Sequence, residues 1–217
     1  MTEIKNYKEL IKIWIYLMQK KILIIGGTGF IGYHLASRCK NLNWNIVSVS
    51  TNNPINKRRL KKVRYKIFDI SIKKNLANIP KYKYDYVVNL GGYVDHINKG
   101  KTYRAHYLGA KNLFKVFKNK KLESFIQIGS SMEYGTKKSP HRENVIGNPK
   151  GVYAKAKFLA SKFLIECYKK YKFPVTVIRF YQIFGPNPGT NRFIPILIKA
   201  CLNKKELATS SGVQSRD

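Results

Sequence analysis

The chain has 217 residues, enough for one α/β core or for one domain and part of another. Its 44% hydrophobic and 13% aromatic content suits a globular protein, and no apolar run approaches the length of a membrane span. The net charge of +31 suggests a nucleic acid or an anionic membrane only where it is concentrated. Here the lysines are spread among many Asn, Ile and Tyr residues, as an AT-rich coding sequence produces, and no block of like charge forms a tail or arm. Composition is the simpler reading, and the same field attracts a diphosphate. Cys39, Cys167 and Cys201 have no metal-like spacing and read as reduced, packed thiols of a cytoplasmic protein.

Residues 1–20 form an N-terminal extension. Residues 10–18 are apolar but broken by Lys12, and no small-residue cleavage site follows, so the segment does not read as a signal peptide. Met18 lies just before Lys20-Lys21-Ile22, where a fold can begin. The extension is either a misassigned upstream start or a loose helix, with a membrane-surface helix as the less favoured alternative.

Residues 22–25 are wholly apolar and mostly β-branched, and read as a strand buried on both faces of a parallel sheet. Glycines follow at 26, 29 and 32, and residues 34–39 open a helical pattern. Strand, glycine turn and helix is the layout of a dinucleotide site. Gly26 permits the tight turn, Gly29 lets a pyrophosphate approach the backbone, and Gly32 lets the helix pack close. The phosphates then sit at the positive helix N-terminus. Asn45–Ser50 reads as the second strand. The dinucleotide pattern places an acid at its end for the ribose 2′-hydroxyl, whereas Ser50 stands here and Lys57, Arg58 and Arg59 follow. With no carboxylate to repel a 2′-phosphate, the pattern leans to NADP over NAD.

Residues 63–68 are a third strand ending in Asp69-Ile70. Residues 84–90 are a fourth, leading to Gly91-Gly92-Tyr93, where small residues let a backbone approach the cofactor. Residues 106–117 are helical on Leu108, Leu113, Val116 and Phe117, with His106 read as a hydrogen-bonded helix histidine. Residues 125–128 are the fifth strand. A polar loop follows over 136–150, then a long helix over Gly151–Tyr171 that Pro174 ends, then a sixth strand over 175–178. Tyr153 and Lys157 are four residues apart and share a helix face.

The glycine turn with Thr28 and Phe30-Ile31, then Ser130 at a strand end, then Tyr153-x-x-x-Lys157, resembles in that order the extended short-chain dehydrogenase/reductase family. That family contains nucleotide-sugar epimerases, dehydratases and reductases. The resemblance implies an α/β, doubly wound parallel-sheet Rossmann domain over residues 21–178. It places Gly26, Thr28, Gly29, Phe30, Ile31 and Gly32 at the pyrophosphate, Ser50 at the ribose and Asp69 and Ile70 around the adenine. Leu90, Gly91, Gly92, Tyr153 and Lys157 complete the cofactor set. It implies catalytic roles for Ser130, Tyr153 and Lys157. Tyr153 gives or takes a proton near neutral pH, far below its usual pKa near ~10. The Lys157 ammonium and a bound nicotinamide cation favour the tyrosinate, Lys157 also holds the nicotinamide ribose, and Ser130 hydrogen-bonds the reacting oxygen.

Dehydratases of the family carry Asp-Glu directly after the Ser/Thr. Here those positions are Ser131 and Met132, and Glu133, one place later, is expected to point elsewhere, which argues against a 4,6-dehydratase. Residues 179–186 resemble the next family motif, with Gln182 where many relatives have a substrate-contacting Asn. Residues 191–195 resemble the nucleotide-diphosphate segment, in which Arg192 suits a phosphate. Residues 212–217 resemble the start of the motif whose Arg, here Arg216, binds the diphosphate. The implied substrate set is Ser130, Ser131, Gln182, Arg192 and Arg216, with no metal. Residues 179–217 are then the start of a substrate-binding region, and the substrate domain is expected to be largely missing, on the order of a hundred residues. The expected function is 4-keto reduction of a nucleotide-diphosphate sugar with NADP or NAD, in the manner of bacterial 4-reductases, and the fragment alone is expected to be inactive. The alternatives are a 4-epimerase and, in another class, a non-catalytic basic Rossmann scaffold that binds nucleic acid. Nucleic acid is not expected, and a homodimer is compatible with the resemblance.

Overall fold

The computed structural model of the protein describes residues 19–93, 98–186, 192–209 and 211. The expected extension up to residue 18, Asn191 and the 212–217 motif with Arg216 lie outside the described residues. Six strands form one parallel sheet: β1 (Lys21–Ile25), β2 (Asn45–Ser50), β3 (Val63–Ile67), β4 (Tyr86–Asn89), β5 (Ser124–Ser130) and β6 (Val175–Phe180), in the order β3-β2-β1-β4-β5-β6. The reason is legible in β1. Its side chains alternate, so Leu23 and Ile25 join one apolar cluster and Ile22 and Ile24 join the other. A strand apolar on both faces needs helices on both. The helix α1 (Phe30–Asn41) covers one face through Ala36 and Cys39. The other face is covered by α3 (Gly109–Phe117), through Leu113, Phe114 and Phe117, and by α4 (Gly151–Tyr171), through Ala160 and Leu164. Each fully buried Leu or Ile contributes about 1.5–3 kcal/mol.

Several boundaries differ from the sequence reading. β4 is shorter at both ends; Tyr84 is buried outside the ladder, its hydroxyl donating to the Pro80 carbonyl at 3.1 Å. β5 and β6 are longer at their carboxyl ends because Gly129 pairs with Arg179 and Ser130 with Phe180. α1 starts at Phe30, directly after the glycine turn. The helical stretch before His106 begins earlier, with α2 (Lys99–Tyr103) capped by the Asn98 side chain, which accepts from Lys101 N. It passes through a π-helical turn, Arg104–Leu108, into α3. That turn points His106 inward, where it is 3% exposed.

The chain turns back between β1 and β4. The crevice outside their carboxyl ends is therefore the topological switch point, where doubly wound sheets bind ligands. Because every strand is parallel, the glycine turn, Gly91, Ser130 and the segment after β6 all emerge at that end.

Candidate functional site

The glycine turn is built for backbone proximity. Gly26 has φ +78°, and a side chain there would meet the Leu90 carbonyl at 2.9 Å. A Cβ at Gly32 would lie 2.4 Å from the Gly26 carbonyl, so α1 packs on the turn only without one. The turn is closed by Gly26 N to Val49 O at 2.7 Å and Gly29 N to Gly26 O at 3.0 Å. α1 begins with no side-chain cap and no acid in its first turn, which leaves its positive end open to an anion. These features fit the phosphates of a dinucleotide.

Other cofactor candidates have structural duties as well. The Ser50 hydroxyl, at a buried position, accepts from Thr28 N at 3.2 Å and so ties β2 to the glycine turn. Of the following cations, Arg58 comes back toward the turn, its guanidinium 6.0 Å from the Phe30 ring centre. Arg59 turns to Tyr65, at 5.7 Å. Asp69 Oδ1 accepts from Ser71 N at 2.7 Å in a local turn, and Ile70 is buried with its carbonyl accepting from Asn112 at 2.9 Å. The space beside Gly92 is not simply left for a cofactor. A Cβ there would meet His106 Cε1 at 2.1 Å, so the imidazole needs that room. A His106 ring nitrogen lies 3.2 Å from the Tyr93 carbonyl.

Ser130, Tyr153 and Lys157 come together. Ser130 ends β5 and is 7% exposed; its hydroxyl accepts from Met132 N at 3.2 Å and shares a hydrogen bond with the Tyr153 phenol. The His106 ring stands edge-on to Tyr153 with centroids 5.1 Å apart. Lys157 is 4% exposed, and its ammonium donates to the Ile128 carbonyl at 2.8 Å. The protonation balance departs from the sequence expectation. Burial pushes the Tyr153 phenol up, Glu133 adds to that, and only the Ser130 hydrogen bond and the Arg192 charge oppose it. Burial also lowers the Lys157 amine to about 8, partly offset by Glu133. Lys157 is engaged on the strand rather than on the tyrosine, so the protein alone does not stabilise a tyrosinate.

Glu133 does turn away from the reacting end, and with a purpose the sequence did not suggest. It is 1% exposed. Its Oε1 accepts from Ser130 N at 2.9 Å and from the Ser161 hydroxyl at 3.1 Å, and its Oε2 accepts from Arg179 Nε at 3.0 Å. The available signal was the spacing of Ser161, four residues beyond Lys157 on the same helix face.

The substrate candidates are less enclosed. Ser131 is half-buried, Met132 is exposed, and Gln182 and Arg192 are exposed. Arg192 nevertheless lies close enough for its charge to act on Tyr153. The segment after β6 reaches back over α1: a ring nitrogen of His34 is 2.7 Å from the Pro186 carbonyl. No cluster of His, Cys, Asp or Glu suited to a metal, and no helix long and apolar enough to cross a membrane, occurs among the described residues.

The comparisons with known proteins bear on the family and the fold. A dTDP-D-glucose 4,6-dehydratase of Dictyostelium discoideum is 29% identical over 88% of this chain and 50% of its own length. An uncharacterized UDP-glucose epimerase, YtcB, of Bacillus subtilis strain 168 is 28% identical over 91% of this chain and 67% of its own. Among solved structures, UDP-glucose 4-epimerase of Thermotoga maritima superposes with a TM-score of 0.78 at 18% identity, over 86% of this chain and 64% of its own. The epimerase Mth375 of Methanothermobacter thermautotrophicus gives 0.77 at 21% identity, over 86% and 59%. The chain thus spans about half of the slime-mould relative. Residues 22–217 match the NAD dependent epimerase/dehydratase family, and the chain belongs to that family.

Proposed function

We propose that this chain carries the dinucleotide-binding and catalytic part of an NAD(P)-dependent oxidoreductase acting on a nucleotide-activated sugar. The observation that carries the reading is the meeting of Ser130, Tyr153 and Lys157 at the carboxyl end of the sheet, beside a glycine turn and an uncapped helix start. Gly26, Gly29 and Gly32 would hold the pyrophosphate, and Lys157 the nicotinamide ribose. When bound, the nicotinamide supplies a hydride acceptor and donor at a sugar carbon. Tyr153 takes a proton from the sugar hydroxyl and returns it to the oxygen. Ser130 fixes that oxygen by hydrogen bonding. The raised phenol of Tyr153 needs a cation from outside the protein to lose its proton, and an oxidised nicotinamide is one.

Within this class, 4-epimerisation is better supported than the net 4-reduction expected from sequence. Structures of similar fold include a UDP-glucuronic acid 4-epimerase of Bacillus cereus in complex with NAD and UDP-glucuronic acid, and the Thermotoga enzyme with UDP-glucose. Ser131 and Met132, in place of an acid pair, weigh against dehydration despite the name of the slime-mould relative. NAD is the cofactor that the structural neighbours name. A preference for NADP rests on Ser50 and on Arg58 alone, which lies near Phe30 of the turn. Exposed cations such as Arg38 on α1 and Lys155 on α4 lie on opposite faces of the sheet. This weighs against one basic face for nucleic acid.

The test is to incubate the chain with UDP-glucose or UDP-glucuronic acid and NAD and to follow C4 configuration by NMR. Epimerisation without net change in NADH absorbance would support the epimerase reading and overturn the expectation that this chain is inactive alone. Stoichiometric NADPH consumption by a 4-keto sugar would restore the reductase reading. No cofactor binding at all would sink both. Arg58→Ala decides the cofactor: if Arg58 holds a 2′-phosphate, NADPH affinity falls roughly 10-fold and NADH affinity stays.

A further inference from the structure

The mechanism just described uses no buried carboxylate, yet Glu133 lies beneath it and joins the three chain segments that build it. We propose that Glu133 is a positioning residue for the Ser130–Tyr153–Lys157 site, its carboxylate clamping the end of β5, the chemistry-bearing face of α4 and β6 to one another. This rests on the reading of those three residues as the reacting group.

Each contact is specific to one segment. On the β5 side, Glu133 reaches back to the backbone N–H of Ser130 while the Ser130 hydroxyl accepts from the turn that follows, a reciprocal capping box. This sets the direction in which Ser130 presents its hydroxyl to Tyr153. On α4, Tyr153, Lys157 and Ser161 recur at four-residue intervals and form one stripe. The Ser161 hydroxyl donates to Glu133 at 3.1 Å, which pins that stripe two turns beyond the tyrosine. On β6, Arg179 donates to Glu133 at 3.0 Å, and the same guanidinium donates to the Tyr134 hydroxyl at 3.3 Å and to the Glu143 carbonyl at 3.2 Å. The seat is shaped for the carboxylate. A Cβ at Gly129 would fall 2.4 Å from Glu133 Oε1 and 3.1 Å from Arg179 Cγ.

A charge held this way also reaches the reacting groups. Glu133 acts to raise both the Lys157 amine and the Tyr153 phenol, against burial in the first case and with it in the second. Truncating one partner of a buried ion pair leaves the other uncompensated, so Glu133→Gln is paired with the double variant E133Q/R179M, in which neither charge remains.

The experiment follows the pH titration of the Lys157 amine by NMR of carbon-13-labelled lysine in the 217-residue chain, with melting temperature recorded beside it. The wild-type midpoint is expected near 8. Removing the negative charge in E133Q lowers the midpoint, by about half a unit or more, and the double variant, which also loses the Arg179 cation, lowers it less. In the nucleotide-sugar assay the same variants lose turnover about 10- to 100-fold with little change in KM, because the site is intact but misaligned. Folded variants with an unchanged lysine midpoint and unchanged turnover would overturn the proposal. If E133Q does not fold, the double variant decides. Tyr153→Phe, run in parallel, separates the two readings. An active Tyr153→Phe enzyme removes the reading of the site, whereas an inactive one beside a wild-type-like E133Q removes only the role of Glu133.

Discussion

Two helices of this chain have opposite relations between sequence and burial. α4 carries lysines along its length, among them Lys155, Lys157, Lys162 and Lys169, yet it buries Ala154, Ala156, Lys157, Ala160, Ser161, Leu164 and Cys167. The helix α5 (Phe193–Leu202), the last among the described residues, reads FIPILIKACL and buries no residue. Phe193 is 56% exposed, Ile198 53% and Leu202 79%. With Phe184 and Pro186 it borders an open apolar groove. Apolar character supplies the drive for burial, but a facing surface decides whether burial happens. α4 has the sheet and α3 against it, and α5 has no such layer among the described residues. Uncovered apolar area forfeits roughly 25 cal/mol per Å², and contiguous patches of this kind mark docking surfaces.

The largest separation between the two helices is expected from truncation. Leu164→Ala empties a fully buried position and is expected to cost about 2–5 kcal/mol, read by urea or thermal unfolding. A loss below 1 kcal/mol would mean that α4 is not seated as described.

Lys157 sharpens the contrast because its burial opposes stability. In the fold its amine sits at about 8, below the ordinary 10.5, so the folded state disfavours the charged form. The sign follows: the unfolded chain holds the extra proton between pH 8 and 10.5, and stability rises with pH across that window. The penalty, about 3 kcal/mol, is fully present below pH 8. Lys157→Met removes it, so the variant is expected to melt no lower than wild type at pH 7 while losing cofactor affinity and turnover. The wild type should gain on the variant as pH rises to 10.5. Parallel stability profiles from pH 7 to 10.5 would refute this account.

On the same stripe, Tyr153→Phe keeps the ring against His106 and deletes only the hydroxyl, with its proton and its hydrogen bond to Ser130. Turnover is expected to fall at least ~100-fold, with melting temperature and cofactor binding nearly unchanged. Coupled loss of both would make Tyr153 a packing residue. The smallest effect belongs to α5. Ile198→Ser is expected to stay within about 0.5 kcal/mol of wild type by thermal unfolding, as surface substitutions do, while improving solubility. A loss comparable to that of Leu164→Ala would show that α5 is covered after all.

The local pattern determined much of this protein by itself. The unbroken apolar run of β1, the glycines that follow and the helical stretch Gly151–Tyr171 that Pro174 ends marked the first strand, the turn and the long helix, because these signals depend on neighbours a few residues away. The spacing of Tyr153 and Lys157 placed them on one face for the same reason. Only the tertiary structure decided what those side chains touch. It bent the chain through a π turn to bring His106 against Tyr153, put Lys157 on the Ile128 carbonyl, and raised rather than lowered the phenol of Tyr153. It also turned Glu133 and Arg179, 46 positions apart, into one buried pair. Burial and electrostatics depend on everything packed within a few ångströms, and most of what surrounds this site comes from segments distant in the chain.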